Sequence, residues 1–391
     1  MQEIKLTNEC INTSISDKQT RRSSVELLKV VAIFLIVISH VTQTLGSENT
    51  HVGYQDYVIL LGNATTDIQV VILMLLRQTG ILGNAIFFVC SAWFLVDKKG
   101  DTKEKAFSLM STVWVISIII MCIYLIVCPS YLSIKDIIKQ IFPTCFANNW
   151  YITCYIIFLF IYPLINKLID IIDQKQLLRI TLFCSVLWII MDYIKGYLFF
   201  PSVLILWISI YFLIAYLKIY CTHIMQNIRV GITVLIIGII GYIAQVVVTN
   251  YVGLYLIDAF FDDVLRWNTN CSPFYIMISI GSIIIALQME YKVKFINYIS
   301  GLSMFVYLIH ENYLFRFYTR PAIWQYLYTN FGYSHVVLLD LGVAVILFIV
   351  ATIISIIYKE TLQRAVTVVS KRIYLCIVKV YSKVETAILK I

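Results

Sequence analysis

Apolar runs of membrane-spanning length recur along nearly the whole chain, and they restrict its fold more than any other feature. Runs of about 17 to 22 residues are long enough to cross a hydrocarbon core of roughly 30 Å as helices. Only helices and closed barrels satisfy the backbone in lipid, and the alternating strands of a barrel do not occur in this sequence. The sequence therefore predicts an all-α, polytopic membrane helical bundle of about ten transmembrane helices. The predicted spans are 25–44, 80–97, 108–128, 150–168, 179–195, 202–220, 230–249, 273–289, 299–318 and 336–358.

The second span leaves an alternative open. The apolar piece 68–76, which precedes it, can be read as a separate interfacial or re-entrant helix.

The basic residues give this layout an orientation. With the N- and C-termini cytoplasmic, 22 Lys and Arg fall inside, 7 fall outside, and Lys29 lies within the first span. This imbalance follows the positive-inside rule. Hydrophobic residues make up 60% of the chain and charged residues 13%, so the net charge of +8 is explained by topology and attraction to anionic lipid. No nucleic-acid partner is predicted.

Three regions follow from this layout: a polar cytoplasmic segment 1–22, a transmembrane domain 23–358 and a tail 359–391. In the tail, apolar residues recur every three or four positions among lysines and arginines, which predicts a basic amphipathic helix. It can lie on the cytoplasmic leaflet or pack on the protein itself. The ten cysteines show no CxxC pair and no metal-ligand spacing, so no metal site is predicted.

The first span, "VELLKVVAIFLIVISH", carries a lysine near its start and a histidine at its end. Ionisable residues within a membrane are costly and usually face a cavity or a partner. Lys29 and His40 are separated by about three helical turns plus 20°, so they lie on one face, roughly 16 Å apart. Glu26 can pair with Lys29 on that face. Ser23 and Glu26 also match a capping box at the start of the helix.

A second membrane histidine falls at a similar depth. The ninth span contains "SMFVYLIHENYLFR" and runs outward, which brings His310 and Glu311 to the outer half, where His40 also lies. An imidazole titrates near neutrality and can remove a proton from a hydroxyl, so these groups suit one polar reaction cavity. The alternatives are that Lys29 snorkels to the interface and that His40 is a satisfied interior histidine.

Four motifs, in this order and spacing, resemble the acyltransferase-3 family of membrane acyltransferases. The family's first-span signature is a basic residue, ten residues and a histidine, which matches Lys29 and His40, with Glu26 as the preceding acidic residue. The segments "NAIFFVCSAWFL", "NNWYITCYIIFLFIYPLIN" and "SMFVYLIHENYLFR" match later spans, and the resemblance covers about residues 21–358. The chain departs from the family at Ala92, where many members have glycine after the serine. It also carries lysines where many members carry arginines before the third span.

The resemblance implies a bacterial plasma-membrane O-acyltransferase. It would move an acyl group, usually acetyl, from acyl-CoA to a hydroxyl of a surface polysaccharide or its lipid-linked precursor. Acyl-CoA is implied as a co-substrate, with no tightly bound cofactor. The residues expected to attract its phosphates are Lys29, Lys98, Lys99, Lys103 and Lys105.

His40 is expected to act as general base on the acceptor hydroxyl or to carry the acyl group as nucleophile, and both mechanisms stay open. The predicted catalytic residues are His40, Lys29 and Glu26. The predicted substrate-binding residues are His310, Glu311, Ser91, Trp150, Tyr151 and Tyr155.

Two other functions fit the same composition. A transporter or flippase for a polysaccharide intermediate would show internal repeats and Gly- or Pro-broken spans in two matching halves, which this sequence does not show. A polysaccharide polymerase would carry a long, Arg-rich outer loop. The outer segment 251–270 combines aromatics with Asp258, Asp262 and Asp263 and suits either a carbohydrate surface or a plain interfacial helix. Self-association is left open.

Overall fold

The computed structural model describes residues 22–43, 67–98, 100, 102–195, 202–255, 272–332 and 334–388, and every regular element in these ranges is helical. The segment 1–21, Lys99 and the three aspartates of segment 251–270 lie outside the described residues. The helices are α1 (Ser23–Thr42), α2 (Asp67–Leu95), α3 (Lys103–Val127), α4 (Ile134–Ile141), α5 (Trp150–Ile171), α6 (Gln174–Lys195), α7 (Ser202–Tyr220), α8 (Thr222–Met225), α9 (Ile228–Tyr255), α10 (Pro273–Gln288), α11 (Lys294–Ser300), α12 (Ser303–His310), α13 (Arg320–Phe331), α14 (Val336–Thr361) and α15 (Gln363–Ile388).

These helices form a multi-pass membrane bundle. Within the described ranges, six helices are long and apolar enough to cross a membrane, namely α1, α2, α3, α5, α9 and α14. Two further apolar helices, Leu204–Tyr220 and Pro273–Gln288, are shorter. The all-α prediction agrees with this architecture, while the count of ten spans and the cytoplasmic termini stay predictions.

The second predicted span is part of a longer helix, so the alternative of a separate helix at 68–76 is wrong. The polar triplet at 77–79 looks like a boundary in the sequence, but two of its groups are hydrogen-bonded to α1. Ser39 Oγ donates to the Arg77 carbonyl at 2.5 Å, and Thr79 Oγ1 donates to the Leu35 carbonyl at 2.9 Å. Satisfied polar groups let α2 continue through this level without a break.

The ninth predicted span, 299–318, is not one helix. It consists of the end of α11, a turn at Gly301 and Leu302, α12, and a second break at Glu311 and Asn312. Asn312 Oδ1 accepts a hydrogen bond from Leu314 N at 3.0 Å and so caps the segment that follows. That segment begins with helical Tyr313 and Leu314, passes through a π-helical turn, Phe315–Thr319, and continues into α13. Irregular backbone at membrane depth is found where the chain is buried in protein or lines a cavity.

The predicted capping box at the start of α1 is also wrong. Ser23 is already helical, and the N-cap is Arg22, which makes no side-chain cap hydrogen bond. Ser23 Oγ instead accepts a hydrogen bond from Val293 N at 2.8 Å, and Glu26 accepts one from Ser300 Oγ. Both groups therefore tie α1 to α11 and to the residue before it, rather than closing the first turn.

Close packing of α1 on α2 holds the inner face of α1 in place. A Cβ atom on Gly83 would lie 2.5 Å from the Ala32 carbonyl oxygen and 2.8 Å from Ile36 Cγ1. A Cβ atom on Gly80 would lie 2.5 Å from Ser39 Oγ. Small residues allow membrane helices to approach this closely.

Gly83→Ala is expected to destabilise the bundle by about 1–3 kcal/mol, because the added methyl overpacks a backbone contact. Gly342→Ala is the matched control, since a Cβ on this α14 glycine meets no atom within 4 Å. Thermal unfolding in detergent would compare the two variants. Equal melting temperatures for Gly83→Ala and wild type would contradict the close approach of α1 and α2.

The tail helix α15 packs on the protein itself over its first turns, while its placement on the cytoplasmic leaflet stays a prediction. Its first three turns pack on α3, where Ser111 Oγ donates to Ser370 Oγ at 3.2 Å and the rings of Phe107 and Tyr374 lie 5.9 Å apart. Some apolar side chains of these first turns are exposed, Val369 by 54%, and from Leu375 to Val384 all of them are, Val380 by 62%. This second half suits a membrane surface.

Candidate functional site

Two histidines and a glutamate meet inside the bundle. His40 lies in the last turn of α1, and His310 ends α12, directly before Glu311. His40 Nδ1 lies 3.0 Å from His310 Nε2 and 3.0 Å from Glu311 Oε2. All three residues are buried, His310 completely. The two predicted histidine positions therefore form one cluster, as their similar depth indicated.

Two arginines that the sequence reasoning missed complete this cluster. Arg320 Nη2 lies 2.9 Å from Glu311 Oε2, and Arg316 Nη1 lies 3.0 Å from Glu311 Oε1. Arg320 is 1% exposed, although the charge pattern alone places both arginines among the outer basic residues. The available signal was their spacing of four residues next to "HE", which places both guanidinium groups on one helical face.

Arg320 also fixes the backbone that carries the histidines. Its Nη1 donates to the His40 carbonyl at 2.6 Å and its Nη2 to the His310 carbonyl at 2.7 Å. Trp324 Nε1 donates to the Val41 carbonyl at 3.3 Å. The last carbonyls of a helix have no partner within it, and a cation there is favourable. The end of α1 is thus held by side chains of α13.

Three amide side chains surround the break after His310. Gln140 and Asn312 exchange hydrogen bonds of 3.2 and 3.3 Å, and Asn149 Nδ2 donates to the Glu311 carbonyl at 3.3 Å. Gln140 comes from α4, whose start is fixed by a capping box between Ser133 and Asp136. Polar side chains thus reach the break from the α3–α5 connection, which the sequence reasoning did not associate with the site.

Three ligand-type atoms of His40, His310 and Glu311 lie within 4.8 Å of one another. Two guanidinium groups already neutralise the Glu311 carboxylate. Added positive charge is therefore opposed at this point, and the geometry favours a hydrogen-bonded network over a cation site.

A cavity of about 650 Å³ leads from the charged end of α3 toward this cluster. One wall is the face of α1 that carries Glu26, Lys29, Ile33 and Ile36. Ile36 lies one helical turn before His40 on the same face. The cavity therefore follows the helical face that was predicted to carry both Lys29 and His40, and it ends one turn short of His40. The other residues that line it include Ser91, Lys98, Thr102, Glu104, Lys105, Tyr151, Tyr155, Ser300, Ser303, Tyr307, Gln363, Thr367 and Lys371.

Two tyrosines stand between the cavity and the histidines. Tyr307 lines the cavity, and its ring centroid lies 6.2 Å from that of His40 and 5.7 Å from that of His310. Tyr151 lies beside it, with ring centroids 5.8 Å apart. The hydroxyl of Tyr151 and that of Ser303 are buried in the cavity wall and have no hydrogen-bond partner among the described residues. A buried hydroxyl without a partner is uncommon, and a polar group of a bound ligand would satisfy it.

The predicted site residues divide into three groups. Those that line the cavity are Glu26, Lys29, Ser91, Tyr151, Tyr155, Lys98 and Lys105. The buried cluster beyond the cavity contains His40, His310 and Glu311. Trp150 and Lys103 do not line the cavity, and Lys99 lies outside the described residues.

The mouth of the cavity concentrates positive charge. Lys29 is paired with Glu26 at 3.3 Å and lies 5.5 Å from the centre of the Phe94 ring. Burial lowers the pKa of Lys98, and the positive charge of Lys105 lowers it further. The positive charges of Lys98 and Lys105 repel each other, and an anionic ligand bound between them would relieve that repulsion.

A comparison with protein families matches residues 22–360 to the acyltransferase-3 model, described as an acyltransferase domain. This match covers most of the chain, which therefore belongs to the acyltransferase-3 family of membrane acyltransferases. No curated protein matches the chain. No solved structure matches it.

Proposed function

We propose that this membrane acyltransferase moves an acyl group, with acetyl preferred, from cytoplasmic acyl-CoA to a hydroxyl of an extracytoplasmic surface polysaccharide or its lipid-linked precursor. The observation that carries the proposal is the cavity itself. It begins among lysines and ends one helical turn from a buried histidine pair. A nucleotide at the mouth and an extended thiol arm in the cavity would bring a thioester to the histidines.

The hydrogen bonds around His310 assign protons to both imidazoles. His310 Nδ1 lies 2.7 Å from the Val306 carbonyl, which can only accept, so this nitrogen is the donor. In a neutral imidazole the other nitrogen, Nε2, is then an acceptor. His40 Nδ1, 3.0 Å away, donates to it, which leaves the basic lone pair of neutral His40 on Nε2.

In the proposed reaction, His40 Nε2 removes the proton of the acceptor hydroxyl while the hydroxyl oxygen bonds to the thioester carbon. The tetrahedral intermediate then collapses, the carbon–sulfur bond breaks, and the His40 proton passes to the leaving thiolate. The Glu311 carboxylate, 3.0 Å from His40 Nδ1, stabilises the imidazolium that forms between these two steps.

Transfer from labelled acetyl-CoA to a panel of surface glycans, with the purified protein in nanodiscs, tests the proposal. Label on a glycan supports it. Glycan movement across the bilayer without label transfer would favour the transporter, and absence of acetyl-CoA binding would overturn the assignment of the donor.

Tyr151→Phe is expected to raise KM for acetyl-CoA about three- to tenfold, since a buried hydroxyl that bonds a ligand contributes roughly 1 kcal/mol. The phenol of Tyr151 lines the cavity and would meet a polar group of the bound thioester arm. Stability should not fall, because no described residue bonds the hydroxyl that is removed.

Tyr275→Phe is the matched control. It also removes a buried hydroxyl with no partner among the described residues, but Tyr275 lies on α10 and does not line the cavity. Steady-state kinetics of the two variants would separate a ligand contact from a packing effect. Equal KM values would argue against a donor in this cavity.

A further inference from the structure

The tail helix α15 forms one wall of the cavity mouth. Gln363, Thr367 and Lys371 line the cavity, and their spacing of four residues places them on one helical face. The family match ends at residue 360, so these three side chains come from a segment outside the shared domain. They are polar, although α15 is rich in valine and isoleucine.

Contacts with α3 hold this part of α15 in place. Lys371 Nζ lies 3.2 Å from Glu104 Oε1. Glu104 and the next residue, Lys105, both line the cavity. Ser370 and Tyr374 pack on the same stretch of α3 through Ser111 and Phe107. The helix therefore holds Lys371 at the mouth, where Lys98 and Lys105 also lie, and the side chain of Lys371 is 57% exposed.

We propose that Lys371 of the tail helix binds the phosphate groups of acyl-CoA and that Glu104 competes with those phosphates for the lysine. The inference rests on the proposed function and extends the donor site beyond the family domain. A phosphate at the mouth would exchange with the Glu104 carboxylate as the ion-pair partner of Lys371. A lysine binds phosphate as a point charge and can change partner without rearrangement of the helix.

Two charge-neutralising variants distinguish this role from a structural one. Lys371→Gln and Glu104→Gln break the same ion pair, so a purely structural ion pair predicts that both variants change donor binding in the same direction. Competition predicts opposite directions. Lys371→Gln should raise Kd and KM for acetyl-CoA about two- to fivefold, and Glu104→Gln should lower them by a similar factor, the range expected for a partly exposed charge. The value of kcat should stay unchanged.

Lys379→Gln is the control, since Lys379 is on the same helix and does not line the cavity. Equilibrium binding of labelled acetyl-CoA to the full chain in nanodiscs, at low and high salt, gives the readout. Opposite shifts that shrink with salt support the inference. If the Kd values of both variants shift in the same direction, or do not shift, the inference is overturned. The proposed donor still stands in that case, provided that the wild type binds acetyl-CoA. Absence of wild-type binding overturns both.

Discussion

Replacement of His40 by alanine is expected to lower kcat for acyl transfer by about 10²- to 10⁴-fold, the range for loss of a general base. Acetyl-CoA binding should persist, because His40 lies beyond the end of the cavity and contacts none of its charged mouth. Single-turnover transfer from labelled acetyl-CoA, measured together with equilibrium binding, separates these two effects. The variant removes the side chain that touches both His310 and Glu311.

The matched control for this variant is Ser39→Ala. It alters the neighbouring residue of α1 and removes a hydrogen bond to the Arg77 carbonyl, but it leaves both imidazoles in place. Turnover should therefore remain within a few fold of wild type in the control. If transfer survives in His40→Ala, the histidine is structural and the chemistry must lie elsewhere in the cluster.

The two mechanisms left open for His40 differ in what accumulates without an acceptor. A nucleophilic histidine would carry the acyl group. Incubation with labelled acetyl-CoA alone would then label the protein and release CoA as a free thiol. A general base would leave the protein unlabelled. The hydrogen bonds support a lone pair on His40 Nε2 under either mechanism, so this measurement decides between them.

Helical periodicity predicts the part of the site that lies on one helix. Lys29 and His40 share a face because their spacing is close to three turns, and the cavity follows that face in the structure. The same reasoning fails at 299–318. This stretch is mostly apolar, and the polar residues Glu311 and Asn312 after His310 do not prevent its prediction as one span. The break there depends on Asn312 and on two side chains hydrogen-bonded at the break, Gln140 and Asn149, which come from a distant part of the chain.

The tail helix illustrates a second limit of sequence reasoning. Its amphipathic pattern predicts a helix, but a single pattern is equally consistent with lipid and with protein as the partner of the apolar face. In the structure α3 packs against the first turns of the helix, and the valines beyond Leu375 are exposed. The structure also shows that the polar face of the helix lines the cavity, where Lys371 lies beside Glu104.

Arg320→Leu is expected to have the largest effect on stability, a loss of about 3–5 kcal/mol in the free energy of unfolding. The arginine is 1% exposed and donates to the His40 carbonyl, the His310 carbonyl and the Glu311 carboxylate. Leucine satisfies none of these buried acceptors and leaves the carboxylate with His40 and the partly exposed Arg316 as its partners. Thermal and denaturant unfolding in detergent measure the loss.

Companion variants identify which part of Arg320 matters. Arg320→Lys keeps the charge but lacks the fork that reaches two carbonyls and a carboxylate, so it should recover only part of the loss. Arg316→Gln should cost less than about 1 kcal/mol, because that side chain is 28% exposed and its ion pair with Glu311 is partly solvated. In the double variant Arg320→Leu with Glu311→Gln, the buried charge is gone, so stability should rise above that of the single variant. If the double variant is no more stable, the loss comes from the two backbone carbonyls, and Arg320 acts chiefly as the cap that fixes the end of α1 beneath His40.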